Sequence, residues 1–159
     1  MPGWETFAVV TGGVAGALVG LFFVAVSIHA QEIMRSVDVR IRAGQTVVIF
    51  GVVMLSAVLL TVPSQSPRAL GAELLALGVV FGGLLELLER RAKSVTAIPL
   101  GRLLERVNAN VVVAGGLVAT GALLLAEIDW ALLVVVPTTC FALTSGLTSA
   151  WFLLTRLSG

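Results

Sequence analysis

One carboxylate, Glu73, falls inside an apolar stretch of this chain, apart from Glu86 and Glu89 at that stretch's far boundary. A charge at mid-bilayer costs about 2.5–3.5 kcal/mol on insertion scales, so such residues usually face a bundle interior or a water-filled path. Glu73 lies about one turn from the end of its stretch, and two roles are open to it. The side chain can snorkel to the interface beside Arg68 or Gln65. It can also stand in an acidic ring that selects cations or relays protons. Hydroxyls form the second chemical set. Thr138, Ser145, Thr148 and Ser149 cluster largely on one side of the last apolar stretch at helical spacing, with Thr139, Thr144 and Thr155 nearby. Such groups line a wet path, or they bond to their own i−4 carbonyl or a neighbouring helix. Pro137 predicts a kink and a freed carbonyl in the same stretch.

Little else in the chain is reactive. There is one cysteine, Cys140, and one histidine, His29. Cys140 in an apolar run reads as a small hydrophobe, and His29 as a polar tip at an interface. No GxxxxGK[ST] phosphate loop, HExxH zinc motif or GxSxG nucleophile elbow occurs. The expectation is a protein without enzymatic activity, cofactor or metal.

The elements that must position these residues follow from composition. Of the 159 residues 58% are hydrophobic and 12% charged, against about 25% charged in a soluble domain. Spanning a bilayer takes roughly 20 apolar residues. Five stretches qualify, at about 7–30, 45–63, 69–89, 108–126 and 131–155. Helices are expected, because backbone polar groups find no water in lipid. The predicted fold is all-α: a single transmembrane domain over 1–159 with five membrane helices. The leader before the first stretch contains Glu5 and no basic residue, which argues against a cleavable signal.

Charge orients this five-pass arrangement. Arg35, Arg40 and Arg42 follow the first stretch; Arg90, Arg91, Lys93, Arg102 and Arg106 follow the third; Arg156 follows the fifth. Only Arg68 lies on the other side, with Glu5, Glu127 and Asp129. The positive-inside rule then places the N-terminus outside and the C-terminus in the cytoplasm, with Trp4, Trp130 and Trp151 at interfaces. The basic clusters are expected to attract anionic lipid on the cytoplasmic side, at roughly 1 kcal/mol per residue, and no nucleic acid. Pro99 to Val107, with apolar Leu100, Leu103, Leu104 and Val107, reads as an amphipathic helix on the membrane surface or a juxtamembrane extension. Glu86 and Glu89 stand four residues before Arg90 and Lys93, as helix-surface ion pairs do.

Small residues predict where helices pack. Gly12, Gly16 and Gly20 form two GxxxG steps; Gly78 and Gly82 repeat the step on the third stretch; Gly115 and Gly116 lie on the fourth. Glycines four apart let another backbone approach, from the same chain, where Gly115, Gly116 and Gly121 of the fourth stretch offer a complementary surface to the first, or from a second protomer. A shift of 64 residues aligns the second and fourth stretches, with Arg42 on Arg106, Gly51 on Gly115 and Ser56 on Thr120. Two related hairpins plus a fifth helix, as in transporters built from repeats, or chance likeness between Val/Leu/Gly-rich segments both explain the match.

The run Gly20 to His29 (GLFFVAVSIH), the Arg42-Ala43 pair, and Leu60 to Gln65 (LTVPSQ) followed by Leu70 to Leu75 (LGAELL) resemble a group of small polytopic membrane proteins of bacterial, actinobacterial type. The resemblance covers about the first half of the chain. It implies a bacterial plasma membrane and no particular activity. Two functional classes fit the residues. One is a homo-oligomeric channel or transporter with a path near Glu73, Thr138, Ser145, Thr148 and Ser149. The other is a non-catalytic accessory or scaffolding subunit bound to a larger membrane partner.

Overall fold

The structure, a computed structural model, describes residues 3–35, 37–93 and 109–157. Among these it contains six α-helices: α1 (Trp4–Ile28), α2 (Ala30–Arg35), α3 (Val37–Leu60), α4 (Pro67–Lys93), α5 (Ala109–Leu125) and α6 (Val135–Leu157). A 3₁₀ turn, Ala131–Val134, precedes α6.

Among the described residues four helical stretches, and not five, are long and apolar enough to cross a membrane: Trp4–Ile28, Val39–Leu60, Pro67–Leu88 and Ala131–Thr155. The expected fourth span, 108–126, is described as a helix of only 17 residues. It begins where the described residues resume, at Ala109, and is a shorter apolar helix than the four candidate spans. The five-span fold is therefore corrected to four candidate spans plus a shorter apolar helix. The assignment of the N-terminus outside and the C-terminus in the cytoplasm rested on an odd number of crossings and does not carry over. Nor does the pairing into two matched hairpins, since it took the fourth stretch as a full span and that stretch is not among the four candidates. What stands is an all-α, multi-pass membrane protein.

Helix order follows local chemistry. His29 closes α1, its backbone N–H and its Nδ1 both donating to the Ala25 carbonyl, the latter at 3.1 Å. The short α2 then turns the chain back and buries Ile33. Ser66 caps α4, its Oγ accepting the Ala69 N–H at 3.2 Å, and Pro67 takes the first helical position, where no N–H is needed. Pro137 does not kink a long helix. It sits in the first turn of α6, and the 3₁₀ turn takes up the four residues before that helix.

α3, α4, α5 and α6 form a closed ring, each packed on the next and α6 packed back on α3. Phe50 and Gly146 make that closing contact: a methyl built on Gly146 would stand 2.6 Å from the Phe50 ring. The core between these helices holds Ile49, Val52, Val53, Leu74, Leu85, Val113, Leu117, Leu132, Val135 and Ala142. α1 hangs outside the ring, mainly on α3, and only 17% of its span is buried, against 44% for α3. It inserts Ala8, Ala15 and Phe22, all buried, with Gly12 close to the Ala57 methyl. The exposed residues of the helices are mostly apolar, Val9, Val10, Leu21, Phe23, Val79, Val80, Trp151 and Phe152 among them. Such a surface suits lipid.

Candidate functional site

Glu73 is exposed, near the end of the bundle where α4 begins. Gln65 Nε2 donates to its Oε2 at 2.5 Å. This matches the snorkelling geometry among the two roles that the sequence leaves open. The turn that brings Gln65 back over α4 requires a left-handed residue, Ser64, at φ 57°.

The α6 hydroxyls do not converge. Thr138 is buried, and its Oγ1 donates to the Val134 carbonyl at 2.7 Å. Its side chain fills the space above Gly116 of α5, where an added methyl would collide with it. Ser145 is half-buried and donates to the Ala142 carbonyl at 3.0 Å. Thr144, Thr148 and Thr155 are exposed, and all three donate to the carbonyl four residues back. Ser149 is exposed as well. Each bonded hydroxyl has used its one hydrogen on its own helix, so the outward oxygens retain only acceptor capacity. Cys140 and Trp151 share this outer surface.

Glycines divide into those that meet a neighbour and those that do not. Gly78 approaches Val118 and the Ala114 carbonyl, and Gly82 the Ala114 methyl, each closer than a side chain tolerates. Gly16, Gly20 and Gly115 face open space. The Gly12-Gly16-Gly20 stripe is thus used inside the chain only at Gly12, against Ala57 of α3 and not against the expected glycines of α5. The same α4–α5 pair has a closer backbone contact that the four-residue spacing misses. Gly71 and Gly121 lie face to face, and a methyl on Gly121 would stand 2.6 Å from the Gly71 carbonyl oxygen. Its signal is a spacing of seven: Gly71 with Gly78 on α4, Ala114 with Gly121 on α5. That is the repeat of left-handed helix pairs.

The basic residues are distributed as follows. Arg35, Arg40 and Arg42 are exposed. Arg90 donates to Glu86 at 2.9 Å, an i,i+4 pair. Arg91 and Lys93 lie in the last turn of α4, while Arg102, Arg106 and the amphipathic run at 99–107 lie outside the described residues.

The α5–α6 connection carries features that sequence spacing does not reveal. Glu127 is left-handed, at φ 56°. Its N–H bonds to the Leu124 carbonyl at 3.0 Å, and the Ile128 N–H to the Leu123 carbonyl at 3.1 Å. This is a Schellman ending with glutamate where glycine is usual. Arg68 pairs with Glu127 at 2.8 Å. Beside the pair lies a pocket of about 360 Å³ lined by Ser66, Arg68, Leu124, Glu127, Asp129 and Leu132, among others. Among the described residues, no three His, Cys, Asp or Glu side chains cluster as metal ligands would.

Comparison of the chain with family models, curated proteins and solved structures found no match. The class of protein therefore rests on its own architecture: a multi-pass α-helical membrane protein whose described residues form a four-helix ring, with α1 outside it and the short α2 between α1 and α3.

Proposed function

We propose that this protein is a non-catalytic assembly subunit of a bacterial plasma membrane, associating laterally with further copies or with another membrane protein. The observation that carries the reading is the outward direction of Thr144, Thr148 and Thr155 on α6. A hydroxyl oxygen facing lipid has no donor to accept from, whereas a facing helix supplies one. The open Gly16 and Gly20 of α1 add a surface on which a second backbone can lie close. Arg35, Arg40, Arg42 and Arg90 would hold anionic headgroups at the opposite end of the bundle from Trp4. The bacterial membrane itself is inferred from the resemblance of the first half of the chain.

A second reading is favoured by the same oxygens. Acceptor-only hydroxyls at Thr148 and its neighbours could line a cation path between protomers, with Glu73 near its mouth. Thr138 would stay outside such a path, since it is committed to Gly116.

Native mass spectrometry of protein extracted with its own lipids tests the first reading. A discrete complex that weakens in Thr148→Leu is expected; a monomer throughout overturns it. Cation flux in reconstituted vesicles tests the second, with Glu73→Gln expected to alter selectivity. No flux from the parent protein would remove that reading.

A further inference from the structure

The pocket beside Arg68 has a chemistry that helix packing does not explain. It joins three kinds of wall. Arg68 supplies a guanidinium whose pairing with Glu127 occupies one of its two terminal nitrogens, out of five N–H donors in all. Asp129 and Glu127 supply carboxylates, leaving the lining one negative charge in excess. Leu124, Ile128 and Leu132 supply an apolar floor. The side chains of the pair are 70% and 63% exposed, so a ligand reaches them from outside without opening the bundle. At about 360 Å³ the pocket is at the small end of ligand sites, which run about 300–1,000 Å³.

Its position narrows the ligand. Asp129 adjoins Trp130, and Leu132 is shared with a second, water-sized cavity of about 30 Å³ lined by Trp4 and Gln65. Tryptophans at one end of a membrane bundle lie at headgroup depth. A site there meets lipid headgroups continuously, with the acyl region directly below its apolar floor.

We propose that this pocket binds a zwitterionic phospholipid headgroup of the phosphoethanolamine class. The phosphate takes the remaining Arg68 donors, and Arg–phosphate contacts are among the stronger hydrogen bonds. The ammonium takes Asp129, with Glu127 shared between it and Arg68. The bridge between phosphate and amine is two carbons, short enough to stay within one pocket of this size. A primary ammonium donates three hydrogen bonds to carboxylates. A trimethylated headgroup carries the same charge and donates none, which makes the comparison between the two diagnostic. The proposal requires only that the chain sits in a bilayer, so it stands or falls separately from lateral assembly.

The test is lipid retention by native mass spectrometry, from vesicles with equal phosphatidylethanolamine, phosphatidylcholine and phosphatidylglycerol. The parent protein is expected to retain phosphatidylethanolamine over phosphatidylcholine by about two- to five-fold, the size set by an ion pair at an exposed site. Asp129→Asn should abolish that preference, and Asp129→Glu should keep it. Arg68→Gln should lower retention of all three lipids. Equal retention of the ethanolamine and choline lipids by the parent would overturn the proposal, as would a preference that survives Asp129→Asn. Full displacement by water-soluble phosphoethanolamine would assign the pocket to a free solute and overturn the lipid assignment.

Discussion

Gly71 and Gly121 meet across the α4–α5 crossing with no room for a methyl group on either. A side chain on one would stand 2.9 Å from the carbonyl oxygen of the other, and the reverse contact would be 2.6 Å. Backbone cannot swing aside as a flexible side chain does, so either substitution must push the helices apart. Overpacking of this kind costs about 1–3 kcal/mol. Gly121→Ala should therefore lower the unfolding midpoint in mixed detergent micelles clearly. Gly115→Ala, on the open side of the same helix, should leave it unchanged or raise it slightly, since alanine is the better helix former. Equal behaviour of the two variants would mean that the crossing is not where it is described.

Thr138 and Gly116 form a second size-matched pair. Thr138→Val keeps the shape and removes a hydroxyl whose bond is to its own helix. It should cost about 1 kcal/mol, the net worth of one intramolecular hydrogen bond. Gly116→Ala should cost more, because the added methyl enters the space of the Thr138 side chain. Adding Thr138→Ala to it removes the colliding atoms beyond Cβ and should recover part of the loss. Strict additivity in this double-mutant cycle would separate the two residues.

Glutamate at the end of α5 is a local compromise. Its left-handed backbone costs roughly 1–2 kcal/mol relative to the right-handed form. Its exposed ion pair with Arg68 offsets only about 0–1 kcal/mol. Glu127→Gly should leave stability unchanged or improve it by about 1 kcal/mol. A marked loss, measured by thermal unfolding in lipid nanodiscs, would show that the pair matters more than its exposure suggests.

Cys140 offers a direct probe of assembly, since it is the sole cysteine and lies exposed on α6. Any covalent dimer formed under mild oxidation must join Cys140 to Cys140. A disulfide demands Cα atoms about 4.4–6.8 Å apart. If copies associate through the outer face of α6, oxidation in native membranes should give a dimer band, and Thr144→Leu should diminish it. Absence of a dimer, with an intact complex by mass, would move the contact to α1 or to a different protein.

The helical, membrane-embedded character of this chain was legible from composition and from stretches such as Trp4–Ile28. The number of crossings was not. At 108–126 hydropathy alone cannot separate a span from a shorter apolar helix, because both are uniformly apolar. Packing was half legible. Glycine and alanine did mark close contacts, with the period of four at Gly78/Gly82 and the period of seven at Gly71/Gly78, Ala114/Gly121 and Ala8/Ala15, whereas of Gly12/Gly16/Gly20 only Gly12 meets a neighbour. Hydroxyl patterning on α6 was visible, whereas its direction was not. Which face of a helix points outward depends on partners distant in sequence. The Arg68–Glu127 pocket was the least legible feature, for it is made by two turns and a left-handed residue that no spacing rule announces.

The contact of Phe50 with Gly146 also sets a timetable. α3 leaves the ribosome long before α6 exists, yet its inner face, with Phe50, Thr46 and Ser56 buried in the finished protein, needs α4 and α6 to cover it. During synthesis that face has only lipid or the insertion machinery beside it. Biogenesis must therefore hold an unfinished, three-sided bundle until the last segment arrives. A chain truncated before α6 should be the form that membrane quality control recognises and degrades.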